Sequence, residues 1–353
     1  EHIQKIRFRD AVVMNRRIYY GNVDVVFEQQ EGETNPLRIK YSDRVYKSLA
    51  NKPDIVTKYN YIDILTNDGD EITALETYAD RLLVYKNNTM YLVNATKDVE
   101  FLEDTYQHKG VWSKSAITRV DSGIVWVNQN GAYYYNGDKV INLTDKKISQ
   151  STWSTNIGTK PSVIYEPKEK HILVMSTNTD DGFVCDLDIG AWTVLKNFKD
   201  SDTTNAVLYN DDIVYAVTAT DGNSISFAKL LSDKNAGSTQ KIVIFTRDID
   251  FGSSGKMIDL KKLYVTYKGN ATNMGVKWRK NGQLTNNDFI STSSSDNFGD
   301  ASDVSQAIFK PANKIDAKGI HSLQLVFNVT ESLIHMNFEL HDISIVFRER
   351  KVK

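Results

Sequence analysis

Residues 123–137, GIVWVNQNGAYYYNG, decide the fold. Residues 124–127 and 132–135 are short apolar and aromatic runs, and between them stand Asn130 and Gly131, the pair that most readily takes the two positive φ values of a type I′ turn. The stretch reads as a β-hairpin. The same shape returns upstream in RLLVYKNNTMYLVN, where residues 82–85 and 90–93 flank Asn87 and Asn88. Downstream it returns in HILVMSTNTDDGFVCDL about Asp181 and Gly182, and in DIVYAVTATDGNSISFAKL about Asp221 and Gly222. Two earlier stretches fit as well: AVVMNRRIYYGN pairs residues 11–14 with 18–20, and LRIKYSDRVYKS pairs 37–41 with 45–47 across Ser42 and Asp43.

From the third turn onward the steps are about 40 to 50 residues, the span of one four-stranded propeller blade. The first step is short, so either two early hairpins share a blade or the first blade is incomplete. Each clear hairpin follows a further strand candidate: EITALETY (71–78), SAITRV (115–120) and PSVIYE (161–166). A blade buries two apolar faces against its neighbours, which is why the unit must repeat. Residues 1–235 therefore read as a β-propeller of about five or six blades. After a Gly- and Ser-bearing linker, SDKNAGSTQ (232–240), the period is lost. Alternation at Leu263, Val265 and Tyr267, and again at Leu323, Leu325 and Phe327, makes residues 241–353 a β-sandwich. Within it, the Ser- and Asp-rich insert 285–305 reads as a surface loop. The fold class is all-β, with apolar residues recurring at i, i+2 rather than at helical spacing.

The chain has 353 residues, with 43 Lys and Arg against 45 Asp and Glu, a formal charge of −2. That balance gives no net attraction to phosphate or anionic lipid and argues against nucleic acid as the main ligand, while leaving room for a local basic patch. No run is long and apolar enough for a membrane span, and no signal peptide is visible. The sequence starts at Glu1 rather than Met, which leaves room for a preceding piece. The one cysteine, Cys185, sits in FVCDL and reads as a small buried hydrophobe, so no internal disulfide is expected.

Candidate chemistry is sparse. Asp68, Asp70 and Glu71 in NDGDEI, and Asp180 and Asp181 in TDDGF, could pair as glycosidase carboxylates, but both groups fall on turn sequence, which favours Asp for its own reasons. NDGD lacks the distal glutamate of a calcium loop. Of the six histidines (2, 108, 171, 321, 335 and 341), His335 and His341 would stand about 20 Å apart on one strand, too far for one metal. Trp192 reads as an anchor between blades. Within Tyr133-Tyr134-Tyr135 at most Tyr133 and Tyr135 share a face, and blade packing explains them better than a sugar or base platform. Sequons at Asn87, Asn94, Asn142, Asn270 and Asn328 carry no secretion signal with them. No catalytic, cofactor or metal residue is assigned.

The succession DRVYKSLANKPDIV, NYIDILTNDGDEITALETYADRLLVYKNNTMYLVN, KGVWSKSAITRVDSGIVWVNQNGAYYYNG and TRDIDFGSSGKMIDLKKLYVTYKGN resembles the propeller-bearing tail nozzle, or tail hub and stabilisation, proteins of short-tailed bacteriophages. The likeness runs from about Arg44 to Tyr267 in textual order. It implies a non-enzymatic virion component, assembled in the host cytoplasm as a homo-oligomeric ring, with a hexamer as the expected form. Implied partners are portal and adaptor proteins, tail fibre or needle proteins, and genomic DNA in passage. The alternative is a carbohydrate-binding or glycan-hydrolysing propeller at a cell surface.

Overall fold

The computed structural model describes residues 3–28, 36–64, 69–96, 99–195, 206–210, 212–218, 225–229, 243–252, 256–270, 274–291, 298–329 and 338–350. The chain divides into two compact units, 1–230 and 231–353.

The first unit is a β-propeller, and its described residues form five sheets that follow one another along the chain. Sheet 1 comprises β1 (Ile3–Met14), β2 (Arg17–Phe27), β3 (Arg38–Leu49) and β4 (Lys52–Asp63); sheet 2 comprises β5 (Ile72–Tyr78), β6 (Arg81–Lys86), β7 (Thr89–Asn94) and β8 (Phe101–Gln107). Sheet 3 comprises β9 (Ile117–Val120), β10 (Gly123–Asn128), β11 (Gly131–Tyr135) and β12 (Val140–Asn142). Sheet 4 comprises β13 (Ser162–Glu166), β14 (His171–Met175), β15 (Gly182–Asp186) and β16 (Trp192–Leu195). Sheet 5 has three described strands, β17 (Ala206–Tyr209), β18 (Asp212–Thr218) and β19 (Ile225–Lys229). All are antiparallel meanders, and successive sheets meet through their first strands, β1 on β5, β9 on β13 and β13 on β17.

Alternation within each strand explains the continuous apolar runs. In β6, Leu82 and Val84 enter the core shared with sheet 1, while Leu83 and Tyr85 enter the core shared with sheet 3. In β14, Ile172 and Val174 face sheet 3, and Leu173 and Met175 join Ile213 of sheet 5. Both faces are sealed, and each side chain so buried contributes about 2 kcal/mol.

Several sequence expectations change. In the opening hairpin Asn128 pairs with Gly131, so the turn is Gln129-Asn130 and Gly131 begins a strand. Neither turn residue takes a positive φ; instead Asn128 Oδ1 accepts from the Asn130 N–H at 2.7 Å, a side-chain-built turn. The two successive positive φ values occur elsewhere, at Asn15 (50°) and Arg16 (60°) between β1 and β2. The proposed hairpin across Ser42-Asp43 does not exist, because β3 runs through both residues. Sheet 1 is thus complete, with four strands. Gly182 pairs with Met175, which places the connection at 176–181 and makes it longer than a tight turn; Ser176 Oγ organises it by accepting from the N–H of Asn178 and Thr179. The Asp221-Gly222 turn and the 232–240 linker lie outside the described residues. Among the described residues one α-helix, α1 (Gln150–Ile157), interrupts the strands, capped by Ser149 and anchored by buried Trp153 and Ile157.

The second unit is a β-sandwich made from one eight-stranded sheet folded over itself. One half holds β20 (Val243–Phe245), β21 (Ile249–Asp250), β23 (Met274–Lys280) and β26 (Ser322–Val329); the other holds β22 (Met257–Asn270), β25 (Asp300–Pro311) and β27 (Phe338–Arg350). β24 (Asn287–Ser291) pairs with both halves. Leu263, Val265 and Phe309 from one half meet Val276, Trp278, Leu325 and Phe327 from the other. The insert 285–305 is therefore not simply a surface loop: it carries β24 and the start of β25, and Phe289 and Phe298 are buried in this core. Its polar composition hid two aromatic anchors.

Candidate functional site

The first strands carry a polar belt across three sheets. Asp10 of β1 accepts the Leu75 N–H of β5 at 2.7 Å. Glu76 of β5 receives Lys114 Nζ at 3.0 Å and Arg119 Nη2 at 2.8 Å, and Lys114 also reaches Asp10 at 3.5 Å. Burial pushes the Glu76 carboxyl up, but Lys114, the Thr77 N–H and Arg119 outweigh it and hold the group below its ordinary range. The belt is a clamp, and Glu76 is a fixed anion within it.

The seam between sheets 1 and 2 holds further ion pairs. Lys47 meets Glu100, whose other oxygen accepts from Tyr19, and fully buried Lys86 meets Asp43 at 3.2 Å. At the edge of this seam Asn22, in a left-handed bulge (φ 51°), donates to Glu71 and to the Ile72 carbonyl, while Arg9 and Lys40 also engage Glu71.

Between sheets 3 and 4 lies a cleft of about 330 Å³ whose lining includes Asp121, Ser122, Tyr134, Tyr165, Lys170 and Asp188. Tyr165 donates to Asp121 at 2.8 Å, and burial followed by that carboxylate pushes its hydroxyl up to about 12. Lys170 pairs with Asp188 at 3.0 Å, and Tyr134 donates to the Ser122 carbonyl at 3.0 Å. Tyr165 stays protonated and donates to Asp121, and with Lys170 and Asp188 the cleft offers donors and acceptors to a polar group.

Of the carboxylates singled out from the sequence, Asp70 holds backbone and Glu71 holds ion pairs. Asp70 accepts from the N–H groups and carboxamides of both Asn87 and Asn88, tying off the β6–β7 hairpin. Asp181 is buried, and Asp68 lies outside the described residues, as do His2 and His335. Among the described residues no group of three metal-type ligands comes together. Cys185 is buried, and burial pushes its thiol up to about 11. Trp192 bridges sheets 4 and 3, its indole donating to the Leu143 carbonyl at 2.9 Å and its ring meeting Trp153 edge-on. Tyr133 and Tyr135 are buried against Trp126 and Tyr78, whereas Tyr134 turns to the cleft. The sequon Asn94 is buried and donates to Glu103.

Sequence reading missed Asn128, which joins two sheets. Its Nδ2 donates to the carbonyls of His108 and Gly110, in the link from sheet 2. It also missed a blade signature. Asn94, Asn136 and Asp186, each closing a third strand, accept backbone N–H bonds from residues two ahead. The spacing of these residues was the available signal.

No protein-family description matches the chain, and no curated protein does. Among solved structures the chain is similar to one described as "YCF48 bound to D1 peptide", with 8% identity and a TM-score of 0.36 over 64% of this chain and 63% of that one. The match thus spans less than two thirds of that chain, and the fold description rests on this chain's own strand order and register. Among the described residues no helix is long and apolar enough to cross a membrane.

Proposed function

We propose that this chain is a structural protein of a phage tail, forming part of a ring-shaped nozzle or hub that conducts DNA and anchors other tail parts. The textual resemblance to tail nozzle proteins supports this reading, and the structural observation that carries it is sheet 5. There Val207 and Tyr209 of β17 are exposed, and Ile225 and Phe227 of β19 are 74% and 78% exposed, at strand positions that are mostly buried in sheets 2 to 4. Apolar surface of this kind marks contact with other molecules. Many polar groups, by contrast, are committed to ties between sheets, as at Glu76, Glu100 and Asn128. Light scattering and negative-stain microscopy of the purified chain test the proposal. A ring of about 240 kDa, six times the 40.0 kDa chain, is expected. A monomer at the highest soluble concentration counts against it.

The cleft beside Tyr134 favours a second reading, carbohydrate binding, in which an aromatic wall and the Asp121 carboxylate receive a sugar. Glycan-array binding that disappears in Asp121→Asn would revive it.

A further inference from the structure

The strands of sheet 1 are longer than those of sheets 2 to 5, and their extension has two unlike faces. Val23, Val25 and Phe27 of β2 are buried with Tyr20 and Tyr46 on one side. On the other, cross-strand register places Arg7 opposite Asp24 and Asp24 opposite Lys40, and Lys5 opposite Val26 and Val26 opposite Arg38. Arg9 continues the β1 row. Lys5, Arg7, Arg9, Arg38 and Lys40 are all exposed.

Two carboxylates share this face. Arg38 Nε holds both Asp24 oxygens at 2.8 and 3.0 Å, and Glu71 is shared by Arg9, Asn22 and Lys40. Lys5 and Arg7 form no ion pair among the described residues. Five cations against two anions leave the face about three charges positive, with exposed Glu28 just beyond the end of β2, in a chain whose total is −2. The positive charge is concentrated, not averaged away.

The cations stand in two rows, on β1 and β3, separated by the width of β2. Within a row, neighbours are about 6.8 Å apart, and the rows are about 9.6 Å apart. Between them lie Asp24, already neutralised by Arg38, and half-buried Val26. Two charged rails with a quiet centre suit the paired phosphate strands of a duplex. A lipid surface would call for apolar side chains to enter the acyl boundary, and this face presents none beyond Val26.

We propose that this face binds the phosphate backbone of double-stranded DNA without sequence preference. It deepens the conduit reading, which it follows in naming DNA, but a chain that never forms a ring still carries the face. With about three phosphates neutralised, log K falls with log salt at a slope of about −2.7, a loss of about 40-fold between about 50 and 200 mM. Such contact is weak and readily broken, which is compatible with passage.

Fluorescence anisotropy of a labelled duplex of mixed sequence tests this on the full chain. The double variant Lys5→Glu with Arg7→Glu is expected to weaken binding at least tenfold at low salt. Lys139→Glu with Lys168→Glu makes the same change of charge at exposed positions elsewhere and is expected to cost less than twofold. Far-UV circular dichroism confirms that both variants fold. Equal losses in the two variants, a salt slope near zero, no binding by the native chain, or K5E/R7E-sensitive binding to anionic phospholipid vesicles in place of DNA would each overturn the proposal. DNA binding by a chain that stays monomeric would sink the ring and leave this face standing.

Discussion

Replacing Asn128 by alanine removes three hydrogen bonds, two that couple sheet 3 to the link from sheet 2 and one that builds its own turn. The bond to the Gly110 carbonyl, at 2.8 Å, is partly buried, and those to the His108 carbonyl and from the Asn130 N–H are exposed. One partly buried bond at about 1 kcal/mol and two exposed ones at about 0.5 each give a loss of about 2 kcal/mol. The segment on the receiving side has little freedom to adjust. His108 sits at φ 61°, Val111 donates to the Lys86 carbonyl, and a Cβ on Gly110 would lie 2.2 Å from that same oxygen. For a unit of this size the melting temperature should fall by about 4 to 8 °C, followed by tryptophan emission. Asn128→Asp separates the contributions. It keeps the oxygen that caps the turn but sets a carboxylate against two carbonyls, so its loss should equal or exceed that of alanine. Native stability in Asn128→Asp would refute the claim that the contacts between sheets matter more than the turn.

Two further outcomes follow from titrating groups. The folded pKa of Glu76 lies below its ordinary 4.5, so its contribution is present above that value and is lost as pH falls through the lower folded value. Glu76→Gln should therefore lower the urea midpoint near neutrality, and the difference from the native chain should shrink on acidification; a constant difference across that range would contradict the assignment. Cys185, with its thiol pushed up to about 11, should resist a thiol reagent at about pH 8 in the folded chain and react fully once denatured, as read by absorbance.

The repeat was legible because each hairpin strand is apolar on both faces, a pattern that only a sheet covered on both sides produces. Turn chemistry was less so. Asn130-Gly131 is a strong local signal, yet the Asn128 side chain captures the Asn130 N–H and moves the turn back by one residue. Ser42-Asp43 also looked like a turn, but both lie within β3, and Asp43 is spent on buried Lys86. A side chain that finds a distant partner overrides its local preference. In 285–305 the few aromatics, not the many polar residues, set the structure, since Phe289 and Phe298 have a core to enter. The basic face could not be seen in a net charge, because it depends on which residues of β1 and β3 share a side.

The indoles give the propeller an order of failure. In the first unit all four tryptophans donate to a backbone carbonyl in another segment: Trp112 to Pro161, Trp126 to Lys109, Trp153 to Asn128 and Trp192 to Leu143. An indole N–H neither titrates nor depends on a counter-charge. The first seam has no tryptophan, since none precedes residue 112, and relies on Asp10, Asp43, Glu71 and Glu100 alongside its apolar contacts. Replacing those four carboxylates by their amides removes the charged ties of this seam and leaves the indole ties intact. Sheet 1 should then peel away first, while sheets 2, 3 and 4 remain docked as a block.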